Sequence, residues 1–280
     1  MARVQVVTDS ACDLPSALAH EQAITVVPLS IRFGSEEFVD GTTLSTEEFW
    51  IRCKASPILP ETSAPSPGAF QDAFLAAADA GYDGVVCINI SSALSGTQQS
   101  ARAAADAVAD RIRVLTVDSR SVTMGQGLIV LDVAELAASG ASADDLVARA
   151  ESLIAQTQVF GAVDTLEHLE KGGRIGGAKA MLGTLLSIKP VVTVANGVVE
   201  EESKQRTRSR SLKYLAGKAQ SAGPLSRIAV SNGAADDIGE FLALLDGVKS
   251  EHPLVVVDLG PVVGTHTGPG TIGLCMIPTG

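Results

Sequence analysis

GVVCINISSALSGTQQSARAAADAVA, residues 84–109, is the stretch of sequence that decides the fold. Its first part, GVVCINI (84–90), is an apolar run that predicts a buried strand, and ARAAADAVA (101–109) is typical of a helix. Between them, SSALSGTQQSA (91–101) is small, hydroxylated and uncharged. The stretch therefore predicts a buried strand, a polar turn and a helix, the repeating unit of a parallel α/β sheet.

The same pattern occurs on either side of this stretch. RVQVVTDS (3–10) and RIRVLTVDS (111–119) are strand-like runs that end at Asp9-Ser10 and at Asp118-Ser119. Ligands of parallel α/β sheets bind beyond the carboxyl ends of the strands. We therefore expect these polar ends and the turn at 91–97 to lie at one site.

The fold class predicted is two-domain α/β. Strands alternate with helices up to residue 157, which predicts an N-terminal parallel-sheet α/β domain over residues 1–157. The sequence pattern then changes. VFGAVD (159–164) predicts a strand, and KPVVTVANGVVEE (189–201) predicts a hairpin about Asn196-Gly197. Residues 158–280 are accordingly predicted to form a C-terminal α+β domain with a mixed or antiparallel sheet.

Four segments carry local predictions that matter for a site. AITVVPLSIRF (23–33) predicts one strand. The prolines of ILPETSAPSPGAF (58–70) predict a loop, with Ser66-Pro67 opening the next helix. GPVVGTHTGPG (260–270) predicts a glycine-rich loop between two strands, and AMLGTLLSI (180–188) predicts an apolar helix.

Charge and cysteine content limit the class of ligand and the compartment. The chain has 280 residues and a formal net charge of −11, which disfavours nucleic acid as a main ligand because phosphate would be repelled. The four cysteines are scattered, as expected of reduced thiols. Neither a secretory leader nor an apolar run of about 18 residues is seen. We expect a soluble, cytoplasmic protein with no stable membrane insertion.

Nucleotide and metal sites are not indicated. GPGTIG (268–273) fits G-x-G-x-x-G, but no βαβ unit and no acidic residue follow it. GGRIGGAK (172–179) lacks the G-K-[ST] of a phosphate loop, so its glycines predict a tight turn. Histidines and carboxylates show no metal-ligand spacing. The sequence therefore predicts no cofactor and no metal.

Hydroxyl side chains concentrate on two loops that each precede a helix. They are Thr62, Ser63, Ser91, Ser92, Ser95 and Thr97. Backbone N–H groups at a helix start, together with such hydroxyls, form an uncharged cradle for an anion. Serine and threonine are also preferred helix caps, which is the simpler interpretation of any single one. Taken jointly with His266 in its glycine-rich segment, they favour a ligand site.

One basic run interrupts the acidic chain. QRTRSRSLK (205–213) is either a solvated helix face or a docking patch for an acidic partner. The candidate docking residues are Lys204, Arg206 and Arg208.

Ordered motifs along nearly the whole chain resemble the DegV family of bacterial fatty-acid-binding proteins, which includes the binding subunits of fatty acid kinase. The motifs are VTDSACDLP (7–15), ETSAPSPGAF (61–70), SSALSGTQQSA (91–101), VDSRSVTMGQG (117–127), LEKGGRIG (169–176) with Lys189-Pro190, and GPVVGTHTGPG (260–270). The resemblance implies a two-domain α/β fold with a long-chain fatty acid buried between the domains.

The resemblance also implies residue roles. The carboxylate would be held by Ser63 or Thr62 and by Ser95, with the Gly96 amide close by and His266 beside the head group. Ala64 stands where a polar residue is frequent in the family, which would weaken one contact.

Supporting contacts would come from Ser92, Thr97 and Arg174. The acyl tail needs an apolar tunnel, for which AMLGTLLSI (180–188) is a candidate wall, plain core packing being the alternative.

The implied activity is presentation of the bound acid to a separate fatty acid kinase, without catalytic residues in this chain. Two alternatives stay open. One is a lipid carrier or sensor with no kinase partner. The other is a serine acyl hydrolase using Ser95 and His266, against which neither a nucleophile-elbow motif nor an orienting acid is visible.

Overall fold

The computed structural model describes residues 2–279, except for the side chains of residues 183–187. The strands are β1 (Val4–Asp9), β2 (Thr25–Val27), β3 (Ser30–Phe33), β4 (Glu36–Val39), β5 (Glu61–Ser63), β6 (Gly84–Asn89), β7 (Arg113–Asp118), β8 (Gln158–Ala162), β9 (Lys189–Ala195), β10 (Val198–Gln205), β11 (Leu225–Gly233), β12 (Val255–Asp258) and β13 (Thr271–Pro278).

The α-helices are α1 (Ser16–Glu21), α2 (Thr46–Ala55), α3 (Pro67–Asp79), α4 (Thr97–Ala107), α5 (Met124–Ala138), α6 (Ala143–Ile154), α7 (Glu167–Lys171), α8 (Arg208–Ser221), α9 (Ile238–Leu244) and α10 (Pro261–Thr267). Segments Ser10–Cys12 and Gly176–Ser187 are 3-10 helices.

The predicted parallel sheet is confirmed. Its strand order is β2-β1-β6-β7, with every pairing parallel. β1 and β6 are buried along their whole length, as expected of inner strands covered by helices on both faces. The polar turn after β6 leads directly into α4, so the stretch at 84–109 folds as predicted.

The second domain carries the predicted mixed sheet, with strand order β10-β9-β8-β13-β11-β12. Only β11 and β12 pair in parallel. The β9–β10 hairpin turns at Asn196 and Gly197, whose φ angles of 52° and 84° are those of the predicted Asn-Gly turn. The fold is therefore two-domain α/β, and the division at residues 157/158 stays a prediction.

A small three-stranded sheet, β4-β3-β5, was not predicted. The prediction of one strand over 23–33 is wrong, because the chain breaks at Pro28, which cannot donate to a sheet, and β3 leaves the parallel sheet. The predicted loop at 58–70 contains β5, which pairs Thr62 with Ile31. Ser66 caps α3 as expected, accepting from the Ala69 N–H.

Two further local predictions are corrected. The segment 260–270 is not all loop, because Pro261 opens the helix α10; proline suits a first helical turn, where no N–H is needed. The apolar segment 180–188 lies largely in the 3-10 helix Gly176–Ser187 rather than in an α-helix. The side chains of its residues 183–187 lie outside the described part.

Helix α5 packs between the two sheets and joins the domains. Its buried face shares one apolar cluster with strands of both sheets. On β11, the buried Arg227 donates to Glu135 and, at 3.5 Å, to Asp132, both on α5. Apolar packing and ion pairs therefore both hold the two domains together.

Among the described helices, none combines the length and the apolar character that a membrane span requires.

Candidate functional site

A cavity of about 120 Å3 lies where the two domains meet. Its polar lining residues are Thr62, Ser95, Gly96, Arg174, His266 and Thr267. They come from the end of β5, the turn before α4, the segment after α7, and α10. The structure thus brings together residues that the sequence analysis named on four separate segments.

Thr62 and Ser63 occupy different sides of β5. Successive strand residues point to opposite faces, and Thr62 lines the cavity whereas Ser63 is exposed and does not. The Thr62 Oγ1 lies 2.9 Å from His266 Nε2. Of the two alternatives, the structure brings Thr62 to the cavity.

Ser95 is held by its neighbour Thr97. Its Oγ lies 2.8 Å from Thr97 Oγ1 and accepts from the Thr97 N–H at 3.3 Å. Thr97 is fully buried, so it supports Ser95 from behind rather than facing the cavity. Gly96 precedes α4 and lines the cavity, and among the described contacts its N–H has no partner. Ser95 and Gly96 therefore bring a hydroxyl and an unpaired N–H to the wall of the same cavity.

His266 is largely buried and electrically neutral near neutral pH. Burial, with smaller effects of Arg174 and His168, lowers its pKa to about 4. Its Nδ1 is buried without a hydrogen-bond partner among the described residues. A Cβ on Gly172 would come within 2.3 Å of this Nδ1, so only glycine at 172 leaves room for the ring.

Arg174 supplies the one positive charge among the described residues that line the cavity. Its Nε donates to the Leu94 carbonyl at 3.0 Å and its Nη1 to the Gly172 carbonyl at 2.7 Å. These bonds tie the segment after α7 to the turn at 91–97. The remaining Nη2 is not used by any described contact.

Ser92, like Thr97, is a predicted supporting residue that does not line the cavity. It is exposed, its hydroxyl donates to Asp118, and its N–H donates to the same carboxylate at 3.2 Å. Its contacts fasten the turn to the end of β7.

A second, smaller chamber of about 60 Å3 adjoins the first. Val122, Leu169, Val199, Val263 and Thr267 line both. The other walls of this chamber are mainly aliphatic residues of β8 and β9. The two spaces therefore adjoin across these shared residues; together they are called the passage, and the first cavity is its mouth.

Among the described residues that line this chamber, four threonines add little polarity, because their hydroxyls are already bonded. Thr193, Thr267 and Thr271 donate to backbone carbonyls, and Thr123 pairs with the Ser231 hydroxyl at 2.9 Å. The described wall of the chamber is consequently apolar, whereas the hydroxyls of Thr62 and Ser95 at the mouth are bonded only to side chains and the Thr97 amide.

Predicted tunnel residues 180–188 are placed only in part. Met181 is fully buried in one cluster with Leu169 and Val199, which line the passage, and Leu182 and Ile188 pack against that cluster. The side chains of residues 183–187 lie outside the described part. None of the described members lines the passage directly, so a tunnel role for this segment stays a prediction.

Buried Asp9 organises the turn. It accepts from the Ile90 N–H at 2.8 Å, from the Ala11 N–H at 3.1 Å and from the side chains of Asn89 and Gln126. Burial raises its pKa to about 6, while these donors limit the rise. Asp9 thus fixes the chain immediately before the hydroxylated segment.

The turn is also fastened from the second domain. The Ser91 hydroxyl donates to the Gly197 carbonyl at the tip of the β9–β10 hairpin, at 2.6 Å. A Cβ at Gly197 would lie 2.5 Å from that hydroxyl oxygen, so this close approach requires glycine.

The predicted docking residues differ in availability. Arg208 donates through two nitrogens to Asp237, at 2.8 and 2.9 Å, and Lys204 pairs with Glu201 at 3.2 Å. Arg206 is exposed and has no partner among the described residues. Arg208 is therefore largely committed to the fold.

Metal-ligating side chains do not cluster anywhere in the described part of the chain, and its four cysteines are free thiols.

Sequence reasoning missed the aliphatic walls and the steric role of Gly172. Leu29, Ile90, Val122 and Val262 line the mouth but look like ordinary core residues in the sequence. The Gly172-Gly173 pair was the available signal. Gly173, at φ 71°, makes the turn, and Gly172 makes room for His266.

These features define a two-domain α/β protein with an apolar passage whose mouth presents hydroxyls, a free amide and one arginine. Residues 3–279 match the family model described as "Uncharacterised protein, DegV family", and the chain belongs to the DegV family.

Individual relatives agree over the full length. A DegV domain-containing protein of Streptomyces coelicolor is 36% identical, covering 97% of each chain. A DegV family protein from Thermus thermophilus, described by its fatty acid binding, has a similar structure with TM-score 0.90 and 34% identity, over 99% of this chain and 100% of that one. Bacillus subtilis DegV, described as a fatty acid binding protein, gives 0.88 and 30%, over 100% of both.

Proposed function

We propose that this protein binds a long-chain fatty acid, with the carboxylate at the mouth and the tail in the apolar passage. The observation that carries the proposal is the contrast within one passage. The hydroxyls of Thr62 and Ser95 at the mouth are bonded only to side chains and the Thr97 amide, and beyond them the hydroxyls of the described wall are bonded mainly to backbone carbonyls. Fatty acid binding by structural relatives supports it.

The mouth suits a carboxylate in particular. If the proton of neutral His266 is on Nε2, the ring donates to Thr62 Oγ1 and leaves the Thr62 proton free to point into the cavity. If Thr97 donates to Ser95, the Ser95 proton is likewise free. With the Gly96 amide and Arg174 nearby, several charge-assisted hydrogen bonds converge on one anion.

Burial of the tail supplies most of the affinity. Each methylene removed from water contributes roughly 0.8 kcal/mol, so about 14 of them contribute on the order of 11 kcal/mol before ordering costs. The spaces of about 120 and 60 Å3 are small for such a chain. The side chains around the passage must therefore move apart when it binds.

Native mass spectrometry of the purified protein, followed by lipid analysis of its organic extract, tests this function. We expect one adduct of fatty-acid mass, lost in the Thr62→Ala/Ser95→Ala double variant. A protein that stays without adduct after incubation with a panel of fatty acids would refute the proposal.

We further propose that the protein presents the acid to a separate fatty acid kinase and has no catalytic centre of its own. Ser95 and His266 are each bonded to a threonine rather than to each other, and no carboxylate of the described residues orients His266 Nδ1. This arrangement supports binding over serine hydrolase chemistry. Reduced thiols agree with a cytoplasmic site of action.

Docking of the kinase is assigned to the exposed part of the basic run. Arg206→Glu with Arg210→Glu should lower acyl-phosphate production by the added kinase without lowering bound lipid. Both residues are exposed, unlike Arg208, so the fold should survive. Unchanged production would favour the alternative, a lipid carrier or sensor that has no kinase partner.

A further inference from the structure

The groove between the domains does not end at the apolar chamber. A cleft of about 710 Å3 adjoins it, and Phe160, Thr193 and Val194 line both spaces. The cleft lies between β7 and α6 of the first domain and β8 and β9 of the second. Because none of the residues that line the cleft lines the first cavity, this solvent-open space adjoins the chamber at a place apart from the mouth.

The lining of the cleft combines an apolar part with a polar part. Val117, Val147, Ile154 and Val194 extend the aliphatic wall of the chamber. The polar part is formed by Thr116, Thr157, Gln158, Asn196 and the charged residues Arg102, Asp118, Arg120 and Glu151. An acyl chain that passed the chamber would meet apolar surface first and water and charged groups next.

The two arginines of the cleft are available. Most arginines of the described chain pair with a carboxylate or a carbonyl, but Arg102 and Arg120 have no such side-chain partner there. Both are exposed. Of the two carboxylates that line the cleft, Asp118 is already bonded to Ser92 and to the Arg120 N–H at 2.9 Å, and Glu151 is the other.

We infer that this cleft is a second opening of the ligand passage, and that the site accepts long acyl chains bearing an anionic group at the far end. The inference rests on the proposed function. A closed passage would have to bury the second carboxylate without a partner, which is very costly. In the open cleft the same group stays hydrated beside Arg102 and Arg120.

A homologous series of saturated diacids, from dodecanedioic to docosanedioic acid, tests the second opening against the matching monoacids. Affinity would be measured by displacement of a fluorescent fatty acid at pH 8. We expect short diacids to bind poorly, because their second carboxylate would lie in the chamber. The longest should approach their monoacids to within about tenfold.

Variants of the two cleft arginines test where the second carboxylate of a bound diacid lies. Arg102→Ala/Arg120→Ala should weaken long diacids by about two- to fivefold, the range of exposed ion pairs, and leave monoacids unchanged. Lys54→Ala, which removes an exposed cation without a described partner away from the cleft, is the control. Val194→Phe should lower affinity for long chains of both kinds more than for short ones, with thermal unfolding as the check on folding.

The outcomes are distinguishable. Rejection of diacids of every length, with monoacids bound, would overturn the second opening and leave the proposed function intact. An unchanged diacid affinity in the double arginine variant would overturn the role of the two arginines. Failure to bind any monoacid would overturn the proposed function and this inference with it.

Discussion

Thr62 Oγ1 and His266 Nε2 lie 2.9 Å apart, although 204 residues separate them in the chain. One belongs to a short strand of the first domain and the other to a helix of the second. The mouth of the passage is thus completed only when the two domains meet. A ligand held there would be sensitive to changes on either side.

Removal of the Thr62 hydroxyl should weaken fatty acid binding strongly. Thr62→Val keeps the shape but loses a hydrogen bond to a charged group, so we expect a loss of about 10- to 100-fold in affinity. Ser63→Ala is the matched control, because Ser63 is adjacent but exposed. Calorimetric titration measures the fatty acid affinity of both variants. A larger loss of affinity in Ser63→Ala than in Thr62→Val would place the carboxylate on the other face of β5.

His266 should make stability fall as the solution becomes acidic. Its pKa is about 4 in the folded state against 6.5 ordinarily, because burial disfavours the charged ring. The unfolded chain therefore binds the proton first, and stability is lost as pH falls from about 6.5 toward 4. Comparison with His266→Gln isolates this effect, which is at most about 3 kcal/mol.

Urea unfolding at a series of pH values measures this difference. The advantage of wild type over His266→Gln should shrink between pH 7 and pH 5. A difference that does not change with pH would mean that the ring is not buried as described.

Asp13 should make stability fall as the pH rises, which is the opposite of the pH dependence expected from His266. Burial, with the nearby charge of Asp40, raises its pKa to about 8, so the folded state keeps a proton that the unfolded chain releases near pH 4. Stability from this group is present at low pH and is lost as pH rises through about 8. Asp13→Asn removes this titrating group. Between pH 6 and pH 9, its free energy of unfolding should therefore rise relative to that of wild type by more than about 1 kcal/mol. Exposed Asp110→Asn is the control, and parallel pH profiles would contradict the assignment.

Gly172→Ala should disturb the mouth without breaking a turn. Gly172 has an ordinary helical backbone conformation, so the added methyl group matters only because it would lie 2.3 Å from His266 Nδ1. We expect at least about a tenfold loss of fatty acid affinity as the ring is displaced. Gly217→Ala in α8, where a Cβ meets no atom within 4 Å, should bind normally and be as stable or more stable. Normal binding by Gly172→Ala would show that the ring position is unimportant.

Periodicity and turn chemistry were enough to predict the parallel sheet, the mixed sheet and the Asn196-Gly197 hairpin, because each depends on local pattern. They failed at β3 and β5, which pair only through tertiary contact and are too short to leave a pattern. The mouth residues Thr62, Ser95 and Gly96 were anticipated from hydroxyl-rich loops and the family resemblance. The choice of Thr62 over Ser63 to face the cavity needed the strand, since one residue of register reverses which side chain faces inward.

The aliphatic walls could not be predicted, because a valine that lines a passage and one that fills a core look alike in sequence. The contribution of the chamber threonines to the wall could not be predicted from the sequence either. In the structure, the hydroxyls of Thr193 and Thr267 donate to backbone carbonyls, so these residues contribute their methyl groups to the wall.

A crystal structure of the complex with a long fatty acid carrying bromine on its terminal carbon tests the central claim most directly. We predict carboxylate oxygens within about 3 Å of Thr62 Oγ1 and Ser95 Oγ, and the anomalous bromine signal in the chamber or beyond Val194 toward the cleft. A carboxylate bound away from Thr62 and Ser95, or a tail outside the passage between the domains, would contradict the account.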